Sequence, residues 1–307
     1  MEPQAASATP ETFDMRERPC PTCGTEARRT LGLRGGAYHR YGLGVATRIV
    51  QCETCELVFP NPFPYATKPA ELYGDPDRIW RPVSPRVLEI GKQMVRVGRS
   101  LIGTPDPTML DVGCGAGHLL QAARLVGLTR VVGLEISAAL VNEGRERYGL
   151  EILRTTIEEY TRTATETFDM VMLSGVLEHV PDPDDFIACV RKLTAPGSVV
   201  YIDVPCEPSL ITEVGNRLNR LRGDQSVLNL SPTWPPYHVF GFNPHALRTL
   251  LEKHGFRIEG VKVWGDPNIN ASKDLKDRLK AAVGTQINKL ANLLGMSNNL
   301  SAWARRE

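Results

Sequence analysis

The stretch Leu110-Asp111-Val112-Gly113-Cys114-Gly115-Ala116-Gly117 decides how the rest of this chain is read. An apolar run leads into glycines at alternate positions, and a helical pattern follows. Glycine is needed where the backbone turns sharply or where a ligand must approach without meeting a Cβ. The unpaired N–H groups at the start of the next helix suit a carboxylate or similar anion. A dinucleotide fingerprint would put its last glycine at position 118, which is His118; the spacing here is D-x-G-x-G-x-G, with an acid inside the strand. One strand-helix-strand interval later, Val131-Val132-Gly133-Leu134-Glu135 ends in a carboxylate. In a doubly wound sheet that carboxylate lies beside the loop and can accept two hydrogen bonds from ribose hydroxyls. The bland alternative for Glu135 is an acid that caps the helix starting after Ser137.

Outward from this pair, short apolar runs at Thr108–Val112, Arg130–Glu135, Glu151–Leu153, Phe168–Leu173 and Val199–Val204 alternate with helical segments. That alternation predicts βαβ units and a parallel sheet. Ser137 and Gly149 bound one helix, Asp182-Pro183 and Pro196-Gly197 a second, Asn243-Pro244 and Gly255 a third. Phe256 to Trp264 reads as a further strand. Residues 206–236 interrupt the pattern with a short helical stretch, Leu210 to Leu221, and a Pro/Trp-rich loop; an insertion near the carboxyl ends of strands is a natural acceptor lid. From Ser272 to Leu294 apolar residues recur at helical spacing, which predicts a helix packed on the core, with a homodimer seam as the alternative.

These residues resemble the class I S-adenosylmethionine-dependent methyltransferases, over roughly residues 80–265. The resemblance rests on Asp111 to Gly117, on Glu135, and on Phe168-Asp169-Met170-Val171-Met172-Leu173-Ser174-Gly175-Val176-Leu177-Glu178-His179-Val180. It implies an α/β, doubly wound Rossmann-like sheet and binding of S-adenosyl-L-methionine, with S-adenosyl-L-homocysteine as product. By resemblance, Asp111, Gly113, Gly115 and Gly117 hold the methionine end and Glu135 the ribose. Ile136, Thr156, Ile157 and Ser174 complete the cofactor set. Relatives often carry an acid where Thr156 stands. The family also closes its sheet with an antiparallel hairpin, yet no convincing strand follows Trp264, only Asp266-Pro267 and helical sequence.

Methyl transfer is an in-line displacement, so catalysis is largely placement of the acceptor atom behind the methyl group. A hydroxyl or carbon acceptor also loses a proton, and neutral histidine suits that task near pH 7. The candidates are His179, which follows the fourth strand, and His238, which follows the insertion; Glu178 would orient a histidine or the acceptor. For each histidine the bland alternative is a loop tie to a backbone carbonyl. The amino-methylating motif of some relatives is replaced here by Ser174-Gly175-Val176-Leu177, which favours oxygen or carbon acceptors.

Cys20-Pro-Thr-Cys23 and Cys52-Glu-Thr-Cys55 form two C-x-x-C knuckles, the pattern of a structural tetrahedral zinc with no open position. A zinc ribbon ahead of such a domain also resembles the sugar methyltransferases of antibiotic and surface-glycan pathways. The expected organisation is a disordered tail at 1–14, a zinc ribbon at 15–64, a linker and helix at 65–105, the methyltransferase domain at 106–265 with its lid at 206–236, and a C-terminal helical tail at 266–307. The expected acceptor is a small molecule, with sugar-linked candidates foremost: a sugar, nucleotide sugar or natural-product intermediate.

Of the 307 residues, 42% are hydrophobic and 23% charged, and the net charge is +1, so no overall field draws in nucleic acid. The competing RNA base methyltransferase reading rests on Arg28, Arg29, Arg34, Arg40 and Arg48 in the ribbon. The amino-terminal residues lack an apolar h-region and no apolar run reaches membrane-spanning length, so the expected location is cytoplasmic.

Overall fold

The computed structural model describes residues 12–68, 85–265 and 275–307. Most of the expected tail and residues 69–84 of the expected linker lie outside them. The chain divides into two units: residues 1–65, 204–249 and 261–301 form the first, and residues 66–203, 250–260 and 302–307 the second.

The second unit is built on a seven-stranded sheet of order β11-β12-β10-β9-β6-β7-β8. Its strands are β6 (Met109–Val112), β7 (Val131–Glu135), β8 (Ile152–Arg154), β9 (Phe168–Ser174), β10 (Thr194–Pro205), β11 (Phe256–Trp264) and β12 (Asn299–Arg306). The pairs β7–β8, β6–β7, β6–β9 and β9–β10 are parallel. Helix α1 (Pro85–Ile102) precedes β6; α2 (His118–Leu125), α3 (Ala138–Tyr148), α4 (Ile157–Thr163) and α5 (Pro183–Lys192) lie in the successive crossovers, and α7 (Pro244–Lys253) lies between β10 and β11. Met109, Leu120, Val131, Met170, Met172 and Val199 pack into one apolar cluster, which is why these runs read as continuous hydrophobic strands. Helix α1 approaches the sheet closely because its buried face carries Gly91, Val95 and Gly98. A Cβ at Gly98 would meet Met170 Cε at 2.6 Å and Trp303 at 2.7 Å.

Two boundaries differ from the sequence expectation. Helix α5 stops at Lys192, and Pro196-Gly197 sits in a register shift of β10 between Thr194 and Val199. The tail is helical over α8 (Leu275–Leu294), but its last residues form β12, the strand missing from the sequence reading. Strand β12 alternates buried Leu300, Ala302 and Ala304 with partly exposed neighbours. Arg305 fixes it, donating to Gly197 O at 2.9 Å, Leu101 O at 3.0 Å and Glu259 Oε1 at 2.9 Å.

The first unit contains a two-stranded sheet, β1 (Phe13–Arg16) with β5 (Phe63–Ala66), and a three-stranded sheet β2-β3-β4. These three strands are Arg28–Arg34, Thr47–Cys52 and Val58–Pro60. Residues 206–236 fold with this ribbon. Leu33 bridges Ser226 on one edge of the small sheet, and Val58 bridges Gly241 on the other. Helix α6 (Leu210–Leu221) opens with a capping box between Ser209 and Thr212.

Candidate active site

Strand order in the large sheet reverses between β6 and β9, and ligands of such sheets bind outside the carboxyl ends at that point. Both sequence-predicted segments begin there: Gly113–Gly117 after β6, and Ser174–Val180 from the end of β9.

The glycines of the first segment do different things. Gly113 holds φ +68°, and a Cβ on it would meet Val176 Cγ2 at 2.7 Å, so it serves close packing. Gly115 holds φ +57°, and a Cβ there would meet nothing within 4 Å, so its outward face is open to a ligand. Gly117 is the N-cap of α2. The loop hangs on the neighbouring strand: Gly113 N and Cys114 N donate to Leu134 O at 2.8 and 3.0 Å. Glu135 fills both roles weighed for it. Its Oε2 accepts from Gly115 N at 3.0 Å and its Oε1 from Ser137 N at 2.8 Å, and each oxygen keeps a lone pair for a hydroxyl donor. Asp111 is buried beneath the loop; burial, then the nearby Glu135 charge, pushes its carboxyl up to about 8. Cys114 is a small filler within the loop: Gly133 leaves room for its sulfur, and burial raises its thiol pKa.

The remaining cofactor candidates divide. Ile136 is exposed and Ser174 stands exposed at the end of β9. Ile157 is buried, so its side chain faces the interior. Thr156 caps α4: its Oγ1 accepts from Glu159 N at 3.2 Å while its own N donates to Glu159 Oε2 at 3.4 Å. That explains a threonine at this position without any ligand.

His179 Nε2 lies 3.7 Å from Glu178 Oε1. Glu178 is buried, and burial, with a lesser push from Asp203, raises its carboxyl to about 8. Asp203, in register with Ser174 on β10, is pushed up to about 6 by burial. Sequence reading missed Asp203, although an acid inside the apolar run Val199–Val204 was the available signal. His238 belongs to the first unit. Its backbone N donates to Ser231 Oγ at 3.3 Å and its carbonyl accepts from Ser231 N at 3.2 Å, next to Tyr237 at φ +62°.

The four knuckle cysteines converge in the first unit, with all Sγ atoms within 4.8 Å of one another. Cys20–Cys55 and Cys23–Cys52 sulfur pairs are each 3.5 Å apart. Tetrahedral zinc with bonds of about 2.3 Å needs sulfurs roughly 3.8 Å apart, so the cluster fits that ion. Hydrogen bonding from Cys55 pulls the Cys20 thiol down to about 5, and the same bond, with burial, pushes Cys55 up. The knuckles are built alike. Cys20 N donates to Thr25 O and Gly24 N to Cys20 O at 2.9 and 2.8 Å; Cys52 N donates to Leu57 O and Glu56 N to Cys52 O at 2.9 and 3.1 Å.

The family described as "Methyltransferase domain" matches residues 77–261. A "Ubiquinone biosynthesis O-methyltransferase" of Hahella chejuensis is 38% identical over 103 residues, covering 32% of this chain and 42% of that protein. The protein of the same description in Aliivibrio fischeri is 28% identical over 158 residues, covering 50% of this chain and 65% of that protein. The chain thus spans less than two thirds of the length of these relatives. A solved SAM-dependent methyltransferase from Archaeoglobus fulgidus superposes with a TM-score of 0.48 at 19% identity, covering 71% of this chain and 94% of that one.

Proposed function

From the premise that this chain belongs to the methyltransferase-domain family, we propose that it transfers a methyl group from S-adenosyl-L-methionine to a hydroxyl oxygen of a small molecule. The observation that carries the reading is the open face of Gly115, held by the Glu135 carboxylate. When bound, the donor supplies a methyl group already activated on a sulfonium.

The residues here fit such a donor. Glu135 keeps acceptor capacity for ribose hydroxyls, and the exposed Ile136 beside it offers an apolar face to the base. Asp111 and Glu135 together make a site short of positive charge, which a cationic ligand relieves. His179 takes the acceptor proton, and Glu178 beside it orients the histidine or the acceptor. His238 is the alternative base.

The relatives' names favour an oxygen acceptor over carbon. Within that class a sugar-linked or natural-product hydroxyl is the acceptor we propose. No observation favours RNA. Arg28 pairs with Glu17 and Glu26, Arg48 with Glu17, and Arg34 donates to Leu230 O while lying over the Trp234 ring at 5.0 Å.

Calorimetry with the donor and its demethylated product, on wild type and two glycine variants, tests the pocket. Gly113→Ala should cost about 2–3 kcal/mol of stability through left-handed strain and the Val176 clash. Gly115→Ala should cost only about 1 kcal/mol of stability yet weaken donor binding roughly a hundredfold, because its Cβ would occupy ligand space rather than protein space. A wild type that ignores both ligands, or a Gly115→Ala protein that binds as wild type does, would refute the assignment.

A further inference from the structure

Helix α6 is inside out. Its buried side is polar: Asn216 is 3% exposed and Thr212 is buried with it. Its outer side is apolar: Ile211, Val214, Leu218 and Leu221 are exposed, the last to 84%. Spacings of three and four residues put these side chains on one stripe.

The buried polar side has a structural explanation. Asn216 Nδ2 donates to Asn229 Oδ1 at 2.7 Å, and its Oδ1 accepts from Leu228 N at 2.8 Å. Asn219 Nδ2 donates to Ser226 O at 3.0 Å. The helix is thus tied by its amides to residues 224–230, and its hydrophobic residues are left outside. Leu228, packed on Gly215 and itself exposed, widens the stripe. Helix α8 adjoins α6 and adds exposed Ile287, Leu290, Leu293 and Leu294, with Leu293 at 83%. The sequence expectation of a core-packed helix therefore does not hold for these positions. An exposed apolar stripe of this kind marks an interaction site.

Charge decides the occupant. Arg217, Arg220, Arg222 and Lys289 are exposed on the same two helices or at the end of α6. Two acids lie near them: Glu213 is 3.9 Å from Arg217, and Asp224 accepts from Ser226 N at 2.8 Å, so among these residues four cations stand against two carboxylates and the rim is net basic. A twofold contact with a second copy would set this basic rim against itself. Anionic headgroups would pair with it while the leucines enter the acyl boundary.

We infer that α6 and the end of α8 form a docking face for an anionic lipid surface. The helix lies on the bilayer and does not cross it; among the described residues no helix is long and apolar enough to span one. The inference does not rest on the methyl-transfer reading, because vesicle binding needs neither donor nor acceptor.

The test is co-sedimentation of the zinc-loaded full chain with vesicles of phosphatidylcholine alone or mixed with phosphatidylglycerol. Wild type should pellet with the anionic vesicles and be partly released by salt. Leu218→Glu with Leu221→Glu should weaken partitioning at least about tenfold, with circular dichroism and zinc content unchanged. Arg217→Gln with Arg222→Gln should abolish the preference for anionic vesicles. Absence of wild-type binding, or equal binding by the leucine double variant, would overturn the inference. So would a wild-type dimer in sedimentation velocity that the leucine variant dissociates, since that outcome assigns the face to a second copy.

Discussion

Met109, Val131, Met170, Met172 and Val199 bury one face of the large sheet in the second unit, within an apolar cluster that extends from Val95 to Tyr201. In the first unit Ile49, Val58, Val227 and Leu230 pack as one cluster, and Leu57, Phe59, Phe63, Phe240 and Phe242 are buried as well. What sets the first unit apart is polar and sulfur-rich: four converging cysteines, the Asn216–Asn229–Glu207 hydrogen-bond chain, and the buried Thr233 bonded to Val45. Small ribbons cannot bury enough apolar surface to offset chain entropy, and a metal makes up the difference. The two units should therefore fail under different insults, and the contrast can be broken experimentally.

The largest effect should come from removing the metal. Structural zinc sites of this ligand type contribute on the order of 10–16 kcal/mol at neutral pH. A strong chelator, or Cys52→Ser, should abolish hydrogen-exchange protection at Ile49–Cys52 and leave Leu110–Val112 and Met170–Leu173 protected. Loss of protection across both units together, or none in the ribbon, would remove the distinction.

Acid and base should separate the units as well. In the second unit Asp111 and Glu178 have carboxyls raised to about 8 and Asp203 to about 6, chiefly by burial. Groups whose folded pKa lies above the unfolded value stabilise fully below the unfolded pKa. Their contribution fades as pH rises from about 4 to about 8. The zinc thiolates act in the opposite sense, because protons compete with the metal as pH falls. Glu207, raised to about 7, sides with the second unit's trend but is one group against four ligands. Between pH 5 and pH 8 the ribbon should become more stable and the sheet unit less so. Donor binding should reverse the sheet unit's loss by favouring ionised Asp111. Asp111→Asn should lessen the fall of the second unit's melting temperature across that window, with Glu178 and Asp203 supplying the slope that remains; a profile identical to wild type would show that Asp111 does not titrate there.

The sequence exposed most where one residue type had only one physical use. Glycines at alternate positions after an apolar strand, and an acid one crossover later, marked the Gly113–Gly117 loop and the Glu135 carboxylate that holds it. Paired C-x-x-C marked the four cysteines whose sulfurs converge. Strand β12 stayed hidden because its buried positions include Ala302 and Ala304, which carry little hydrophobic signal, and because its sheet neighbours are distant in sequence. Helix α6 was legible as a helix but not as an inverted one, since periodicity shows that a stripe exists and not which way it faces. Thr156 looked like a departure from a ligand pattern and proved to be half of a capping box.

The smallest effect tests the equivalence of the two knuckles. Gly24 and Glu56 occupy matching places, with φ of +76° and +65°. The first is glycine, as a left-handed turn prefers; the second carries an exposed side chain at a conformational cost of about 1 kcal/mol. Its carbonyl is held by Gln51 Nε2 and Asn243 Nδ2, each at 3.2 Å, so the backbone should keep its shape when the side chain is removed. Glu56→Gly should raise the stability of the zinc-loaded ribbon by about 0.5–1 kcal/mol, the relief of strain outweighing the added freedom of the unfolded chain. Gly24→Ala should lower it by about 1 kcal/mol, for its Cβ meets nothing within 4 Å and only the left-handed φ opposes it. Denaturant midpoints that move in opposite directions would confirm that the knuckles are conformational copies. Midpoints that move the same way would mean that Glu56 is kept for a contact rather than tolerated in a turn.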